Sequence, residues 1–393
     1  DRMHCWDPLA ATPAIRRTGL AGTAVPTVAD TGSGTYAATL RYYRTRATEQ
    51  RSGVTTHRSE PSTSASFTPS GSGTGAVVTH GTLPGEIETH WEVEASTDNA
   101  SFFRIATVAI ATPTYTDTAV VTSYATNPVS AVSGTYTLQK SYKFIASDQG
   151  RILGFGAYTA TNPQARVEYS AVLGSSDIGD DERVPTGNYQ GLDENDSGVA
   201  TALFGPVNGS FFAGKYRQFW KLTPTGLVTS PYSTLCLSKV FGVIGPQAIK
   251  VCEDGSGRPN VIWMSHLGPY RLGIFGPEYI GKAVEDKTIG ANSGSTLSLA
   301  ATGVVCHVQW YHQKRQAWFW VQQSDLAAGL HGRADLPGLW GGSRPEYGLE
   351  CVYRRRGDGA VFGDVQHHDW RVHVAAAHPL HWLDQCGQYL WEM

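Results

Sequence analysis

The sequence predicts an all-β protein with a β-propeller-like body and an inserted β-sandwich. Charged residues are only 17% of the 393 residues, whereas Gly, Thr, Ser, Tyr and Trp are plentiful, a balance that favours strands and turns over helices. A short aromatic-rich strand, a turn and a second such strand recur at intervals of roughly 50 residues, about the length of a four-stranded propeller blade. These pieces are Arg151–Gly156 with Arg166–Ser170, Ser210–Leu222, Val261–Leu272 and Val308–Val321.

Length, charge and hydropathy limit the classes of protein that fit. A chain of this length can bury large cores without metals or crosslinks. Its formal net charge of −3 argues against a generally nucleic-acid-binding surface. No signal segment opens the sequence, and no apolar run approaches the roughly 18 residues that span a bilayer. We therefore expect a soluble protein and, because residue 1 is Asp1 rather than Met, a sequence that begins within a longer chain.

The cysteines predict reduced thiols rather than a metal or redox site. They lie far apart and never form a CxxC pair, whereas zinc and redox sites usually contain close pairs. Buried thiols fit assembly inside a reducing cytoplasm. The six residues are Cys5, Cys236, Cys252, Cys306, Cys351 and Cys386.

The first part of the chain predicts a hairpin followed by a sandwich. Residues 1–22 are expected to form a hairpin that is a fragment of the first propeller blade, and a Gly/Pro/Thr stretch through Gly34 indicates a linker. Period-two alternation within residues 23–125 predicts a small antiparallel sandwich, since about a hundred residues is a usual size for one.

One strand of this sandwich is predicted to be half-buried. Its shared apolar face comprises Tyr36, Ala38, Leu40 and Tyr42. Its basic residues, which we expect to reach solvent, are Arg41, Arg44 and Arg46. In a later strand, Trp91, Val93 and Ala95 alternate with His90, Glu92 and Glu94 in the same period-two manner.

Several segments of this region resemble a fibronectin type III domain. Tyr43–Glu49 and Arg58–Ser62 are similar to its last two strands, and His90–Asp98, Phe103–Thr107 and Thr114–Thr118 are similar to its middle strands. The late strands come first in this chain. The sequence therefore leaves open one permuted sandwich or fragments of two.

A wider resemblance covers residues 1–321. Lys143–Gly156, Arg166–Ser170 and Phe212–Leu222 are similar to segments of tailed-bacteriophage virion proteins that contain an interrupted β-propeller. In that group, propellers form tail nozzles or tail-tube-associated parts near the portal, usually as rings. The resemblance implies propeller blades over residues 126–321.

The resemblance also implies a structural role in a bacteriophage virion. The expected protein is a ring-forming tail nozzle or connector component, assembled in the host cytoplasm, that helps to build the DNA channel. Its expected partners are other virion proteins of the tail, portal or adaptor and further copies of the chain, with DNA only as passing cargo and no membrane-spanning segment. The near-neutral charge is compatible, because tight phosphate binding would slow ejection.

No enzyme motif or cofactor site is predicted. The sequence has no GxSxG elbow, no HExxH, no phosphate-cradling GxxxxGK[ST] and no GxGxxG after a strand. We accordingly assign no catalytic, cofactor-binding or metal residue and expect no cofactor.

The alternative function is a carbohydrate-binding or glycan-cleaving tail adhesin that binds a host-surface glycan. Tryptophans can stack on sugars or fill the space between blades, and strand alternation favours packing. Glycan cleavage needs two facing carboxylates, which sequence alone cannot identify. The tryptophans are Trp220, Trp263, Trp310, Trp318 and Trp320, and the available acids are Glu168, Glu253, Asp254 and Glu278.

Two acidic segments are candidate metal sites or turns. Asp193–Gly198 resembles the first half of a calcium loop, but its twelfth position is Phe204, which cannot supply the bidentate carboxylate. A solvated acidic turn is therefore favoured. The acids of Asp177–Glu182 are likewise expected to mark an exposed loop.

The composition changes abruptly near Gln322. Thr, Asn, Ile and Lys are absent from residues 322–393, whereas Trp and His are frequent. A distinct C-terminal unit explains this change, and so does a shifted reading frame, which the abruptness favours. His373, His378 and His381 have the spacing of a possible metal-binding cluster. Because the reading frame of this segment is in question, we do not predict a metal site there.

Overall fold

The computed structural model describes most of the chain, with gaps. The described residues are 2–8, 13–33, 37–71, 74–157, 165–195, 198–253, 256–273, 275–282, 304–311, 313, 316–323, 348–355 and 370–376.

Nearly all regular structure in these described residues is antiparallel β-strand, as predicted. The 3-10 turns that lie wholly within the described residues are Val121–Thr126 and Asp180–Glu182. No helix in the described ranges is both long and apolar enough to cross a membrane. The chain divides into two compact units, here called unit 1 (Asp1–Thr161 and Val167–Gln190) and unit 2 (Asn162–Arg166 and Gly191–Met393).

Unit 1 contains two antiparallel sheets within the predicted sandwich region. The strands are β3 (Thr27–Asp30), β4 (Arg41–Arg51), β5 (Val54–Arg58), β6 (Ala65–Phe67), β7 (Ala76–Thr79), β8 (His90–Ser96), β9 (Phe103–Ala109) and β10 (Thr114–Asp117). One sheet has the order β10-β7-β3, and the other has the order β5-β4-β8-β9 with β6 also paired to β4.

The two sheets share one hydrophobic core. Val78 of β7 packs in the same cluster as Tyr43 of β4 and Trp91 and Val93 of β8. Period-two alternation explains this, because every second side chain of β8 points to one face. The indole Nε1 of Trp91 donates to the carbonyl of Thr112 at 2.9 Å, so its polar edge is satisfied.

The prediction that the β4 arginines reach solvent is wrong. Arg41, Arg44 and Arg46 are all buried. Leu40, which the pattern places on the apolar face, is instead 46% exposed and precedes the strand. Each buried guanidinium has acceptors: the Arg41 Nη1, for example, donates to the Tyr124 hydroxyl at 2.9 Å. Both faces of the larger sheet are therefore covered.

Unit 1 also contains a hairpin and a four-stranded sheet. The hairpin pairs β1 (His4–Asp7) with β2 (Ala14–Arg17), within the predicted fragment of residues 1–22. The sheet has the order β11-β12-β13-β14, formed by Tyr142–Asp148, Arg151–Ala157, Arg166–Tyr169 and Tyr189–Gly191.

The described part of unit 2 contains three further four-stranded antiparallel sheets, each in chain order. The first comprises β15 (Ala200–Val207), β16 (Ser210–Lys215), β17 (Phe219–Pro224) and β18 (Tyr232–Ser238). The second comprises β19 (Ile249–Glu253), β20 (Pro259–Ser265), β21 (Gly268–Gly273) and β22 (Gly276–Tyr279). The third comprises β23 (Val304–Tyr311), β24 (Gln316–Gln323), β25 (Gly348–Arg355) and β26 (Trp370–Ala376).

One hydrophobic core joins these three sheets. Phe219 of the first sheet, Trp263 of the second and Trp310 of the third are all buried in it. The rings of Phe219 and Trp263 are 4.5 Å apart between centroids. Phe319 is buried while Trp318 on the opposite face of β24 is only half-buried, so alternation along β24 decides which ring enters the core.

Strands β25 and β26 continue the third sheet into the segment of changed composition. β25 pairs with β24 and β26 pairs with β25. Side chains there, and the remaining residues of 324–393, lie outside the described residues. Both the distinct-unit and shifted-frame explanations therefore stay predictions.

The described cysteines are thiols at four separate positions. Cys252 and Cys306 are buried in the core of unit 2, and Cys5 and Cys236 are half-buried. The side chains of Cys351 and Cys386 lie outside the described residues.

Replacement of Trp263 by Ala is expected to destabilise unit 2 by about 3–5 kcal/mol, because it removes a large buried ring and leaves a cavity between sheets. Urea unfolding followed by far-ultraviolet circular dichroism would measure the loss. Val228→Ala is the control, since Val228 is highly exposed and its change should stay within about 0.5 kcal/mol. Equal urea midpoints for the two variants would contradict the assignment of Trp263 to the core.

Candidate functional site

The outer face of the larger sandwich sheet carries buried ion pairs. Glu94 on β8 lies opposite Arg44 in the register with β4 and accepts from the Nε of both Arg44 and Arg46, the latter at 2.6 Å. Glu94 and Arg46 are each only 1% exposed. A carboxylate in such a place needs compensating charge, because burying it unpaired costs several kcal/mol.

A chain segment, residues 128–131, covers this charged face. The carbonyl of Ala131 accepts from the Nη2 of Arg44 at 3.2 Å and also from Arg46. The backbone N–H of Arg104 donates to the carbonyl of Pro128 at 3.0 Å, which fixes the segment against β9. Arginine suits this role, because its planar fork can donate to a carboxylate and a carbonyl at once.

A second buried carboxylate, Glu92, extends the network. Its Oε1 accepts from the Nε of Arg58 at 3.1 Å and from the Nη1 of Arg104 at 2.9 Å. Arg58 also donates to the carboxylate of Asp177. Asp177 lies in the loop that follows β13. Burial raises the pKa of Asp177, although the neighbouring Arg58 opposes that rise.

These side chains surround a pocket of about 320 Å³ in unit 1. Arg46, Arg58 and Arg104 line it together with Glu92 and Glu94, and residues 128–131 form one wall. The remaining lining residues are Tyr136 and Ser176. Both carboxylates that line the pocket, Glu92 and Glu94, have cationic partners.

A ring of six charged side chains forms a separate cluster in unit 1. One half of it is centred on Arg16 of β2. Its Nε donates to Asp7 at 2.9 Å, and its two terminal nitrogens donate to the two oxygens of Glu182 at 2.6 Å each. This bidentate geometry is the strongest form of arginine–carboxylate pairing.

The other half of the ring is centred on His57 of β5. Its Nδ1 is 2.7 Å from Glu49 Oε2 and its Nε2 is 3.4 Å from Glu182 Oε2. Arg51 closes the ring, with contacts of 2.7 Å to Glu49 and 2.5 Å to Asp7. Three acids therefore face two arginines and one histidine, so the ring is neutral when His57 is protonated.

Local packing favours this protonated state. Burial alone would lower the pKa of His57, but hydrogen bonds to Glu182 and Glu49 outweigh it and raise the pKa to about 9. Burial likewise opposes ionisation of Glu182, yet its bonds with His57 and Arg16 lower its pKa to about 2. A Cβ at Gly179 would lie 2.0 Å from the His57 Nε2, so only glycine fits beside the ring.

The prediction of an exposed acidic loop at Asp177–Glu182 is wrong. Asp177 and Asp180 are buried, because cations neutralise them: Arg58 pairs with Asp177, and the Nε of Arg183 donates to Asp180 at 2.5 Å. Asp180 also accepts the backbone N–H of Asp177 at 3.0 Å. The sequence showed the acids, but the arginine that pairs with Asp177 lies 119 residues earlier.

The calcium-like loop begins with carboxylates that already have partners. Asp193 accepts from the Nε2 of Gln218 at 3.1 Å, and Glu194 accepts two bonds from Arg166 at 2.7 and 2.8 Å. These contacts favour the interpretation of a turn. Asp196 and Ser197 lie outside the described residues.

The other candidate residues are dispersed. Within the described ranges, no group of three or more His, Cys, Asp or Glu side chains is placed to hold a metal ion. Glu168 accepts from Tyr142 at 2.5 Å and from Lys140, and Glu278 accepts from Arg271 at 2.7 Å. Glu253 is half-buried in β19. The residues outside the description are Asp254, His378 and His381, and for His373 and Trp320 only the backbone is described.

The charged face had a weak signal in the sequence. Arginines at positions 44 and 46 of β4 and glutamates at positions 92 and 94 of β8 occur with the same period of two. In the paired strands Arg44 lies opposite Glu94 and Arg46 lies opposite Glu92. Matched opposite charges across a strand pair were therefore a usable indication of a charged, covered face.

Comparisons with known proteins give no family assignment. No family model matches the chain, and a search of curated proteins found no match to it.

The Glu94→Gln variant is expected to lose about 3–5 kcal/mol of stability, because Arg44 and Arg46 would keep their buried charges without a carboxylate. Glu194→Gln provides a matched control. Glu194 is also bound by an arginine, but its side chain is 33% exposed, and such pairs contribute only about 0–1 kcal/mol. Denaturant unfolding of both variants would measure the difference, and similar losses would contradict the buried role of Glu94.

The stability of unit 1 is expected to decrease as pH rises from about 6.5 to about 9. His57 has a higher pKa in the folded state than its usual 6.5, so its contribution is complete below 6.5 and is lost as pH rises through 9. Glu182 has the opposite dependence: its contribution is complete above 4.5 and is lost as pH falls towards 2. Urea unfolding between pH 6.5 and 9 would measure the contribution of His57, and urea unfolding between pH 4.5 and 2 would measure that of Glu182.

His57→Gln should remove the alkaline part of this dependence. His4→Gln is the control, because His4 is exposed on β1. If the His57 variant kept the wild-type slope between pH 6.5 and 9, another group would be responsible for it.

Proposed function

We propose that this chain is a structural protein of a bacteriophage virion, a ring-forming tail nozzle or connector component. In this proposal the four-stranded sheets are blades of a propeller-like body that forms part of the wall of the DNA channel. The sandwich is a fibronectin type III-like insertion that contacts neighbouring virion proteins. The virion tail is then the location of the protein after assembly in the host cytoplasm.

The observation that carries this proposal is the succession of four-stranded antiparallel sheets in chain order. The three sheets of unit 2 share one core, in which Phe219, Trp263 and Trp310 are buried. Propellers are built by such repetition, and their blades bury apolar faces against each other. A wall of this kind has few free strand edges and suits a rigid passive role.

Buried ion pairs support the same role. The Glu94 cluster and the six-residue ring hold long side chains in single positions, with donors and acceptors already engaged. Satisfied polar networks rigidify a fold. A body that transmits force during DNA passage needs such rigidity more than it needs turnover chemistry.

The adhesin alternative receives less support. A sugar-binding platform needs exposed aromatic faces, whereas Trp263 and Trp310 are buried in the core of unit 2. Of the candidate acids, Glu168 and Glu278 are each paired with a cation.

The purified chain is expected to form closed rings of sixfold or twelvefold symmetry. Negative-stain electron microscopy would reveal the rings, and size-exclusion chromatography with light scattering would give the number of copies. A species that stays monomeric or trimeric at every concentration, particularly with binding on a glycan array, would reject the connector and favour the adhesin.

A further inference from the structure

The pocket in unit 1 has hydrogen-bond donors that the protein itself does not use. Arg104, at 32% side-chain exposure, contacts Glu92 through Nη1 alone among the described residues. Its Nε and Nη2 therefore have no described acceptor. The hydroxyl of Ser130, in the covering segment, is buried and likewise has no hydrogen-bond partner there.

The two carboxylates that line the same pocket are, by contrast, already paired. Glu94 is bound by two arginines, and Glu92 by Arg58 and Arg104. A cation entering the pocket would have to displace an arginine from one of these carboxylates. Among the charged side chains that line the pocket, the unused hydrogen-bonding groups are therefore the donors of Arg104.

The side chains that line the pocket carry a net positive charge, which also favours an anion. Three arginines, at positions 46, 58 and 104, line the pocket with two glutamates, at positions 92 and 94, so the lining has an excess of one positive charge. Arginine forks are well matched to carboxylate and phosphate oxygens.

We propose that this pocket binds a small oxyanion, a carboxylate or phosphate group, held by Arg104 and by the hydroxyl of Ser130. The volume of about 320 Å³ is at the small end of the roughly 300–1,000 Å³ typical of ligand pockets, which fits a small molecule. This binding function goes beyond the structural role and is independent of ring assembly.

Isothermal titration calorimetry of the full chain at low salt tests the proposal. Citrate and inorganic phosphate are the probes, with glycerol as the uncharged comparison. We expect saturable binding of at least one anion and none of glycerol. Binding of citrate alone would identify a carboxylate site, and binding of phosphate alone would identify a phosphate site.

Two variants locate the binding. Arg104→Gln should weaken anion binding by about 10- to 100-fold, the usual effect of losing charged hydrogen bonds. Ser130→Ala should weaken it less, by up to about tenfold, since it removes one neutral donor. Arg166→Gln is the matched control, because Arg166 also pairs with a glutamate and is also 32% exposed, and it should leave binding unchanged.

Three results would overturn the proposal: no heat of binding with either anion at millimolar concentration, equal binding of glycerol, or unchanged affinity in Arg104→Gln. Circular dichroism of each variant establishes that it is folded. If Arg104→Gln were unfolded, Ser130→Ala would be compared with the Arg166→Gln control. Weaker anion binding in Ser130→Ala alone would support the proposal, and equal binding in both variants would overturn it.

Discussion

Neutralisation of buried carboxylates is the constraint on which the arrangement of unit 1 depends. Glu92, Glu94 and Glu182 are all removed from water, and each is held by at least two cationic side chains. Removal of one partner would leave an uncompensated charge in a poorly solvated place. The hairpin, the larger sheet and the turn after β13 are therefore joined through these charge pairs.

Unit 2 is held together by a different principle. Its three described sheets contact each other through aromatic and aliphatic side chains, with Trp263 stacked near Phe219 and Tyr270. Such packing tolerates exchange of one apolar side chain for another, provided that the total volume of the core is conserved. The two units thus show two solutions to joining small antiparallel sheets: charge complementarity in one and shape complementarity in the other.

Sequence patterns predicted the antiparallel β-class and several of the strand pairs, because period-two alternation is local. They also indicated burial of tryptophans such as Trp310. They failed for Arg46 and Asp177, because a polar face of a strand or loop can be covered by another segment and need not reach solvent. What covers that face is a distant segment near Ala131, and its cationic partners are separated by many residues. Local periodicity carries no information about such pairings, although the opposed charges of β4 and β8 hinted at them.

The ring of six charged side chains joins residues from five separate elements of the chain, with Asp7 in the first and Glu182 in the last. It can close only after those elements have been brought together, and contacts between remote residues form slowly. A partly folded chain would therefore display these six charges at its surface during the period when aggregation is the main hazard. The same side chains that lock the finished fold would keep its precursor dispersed in water.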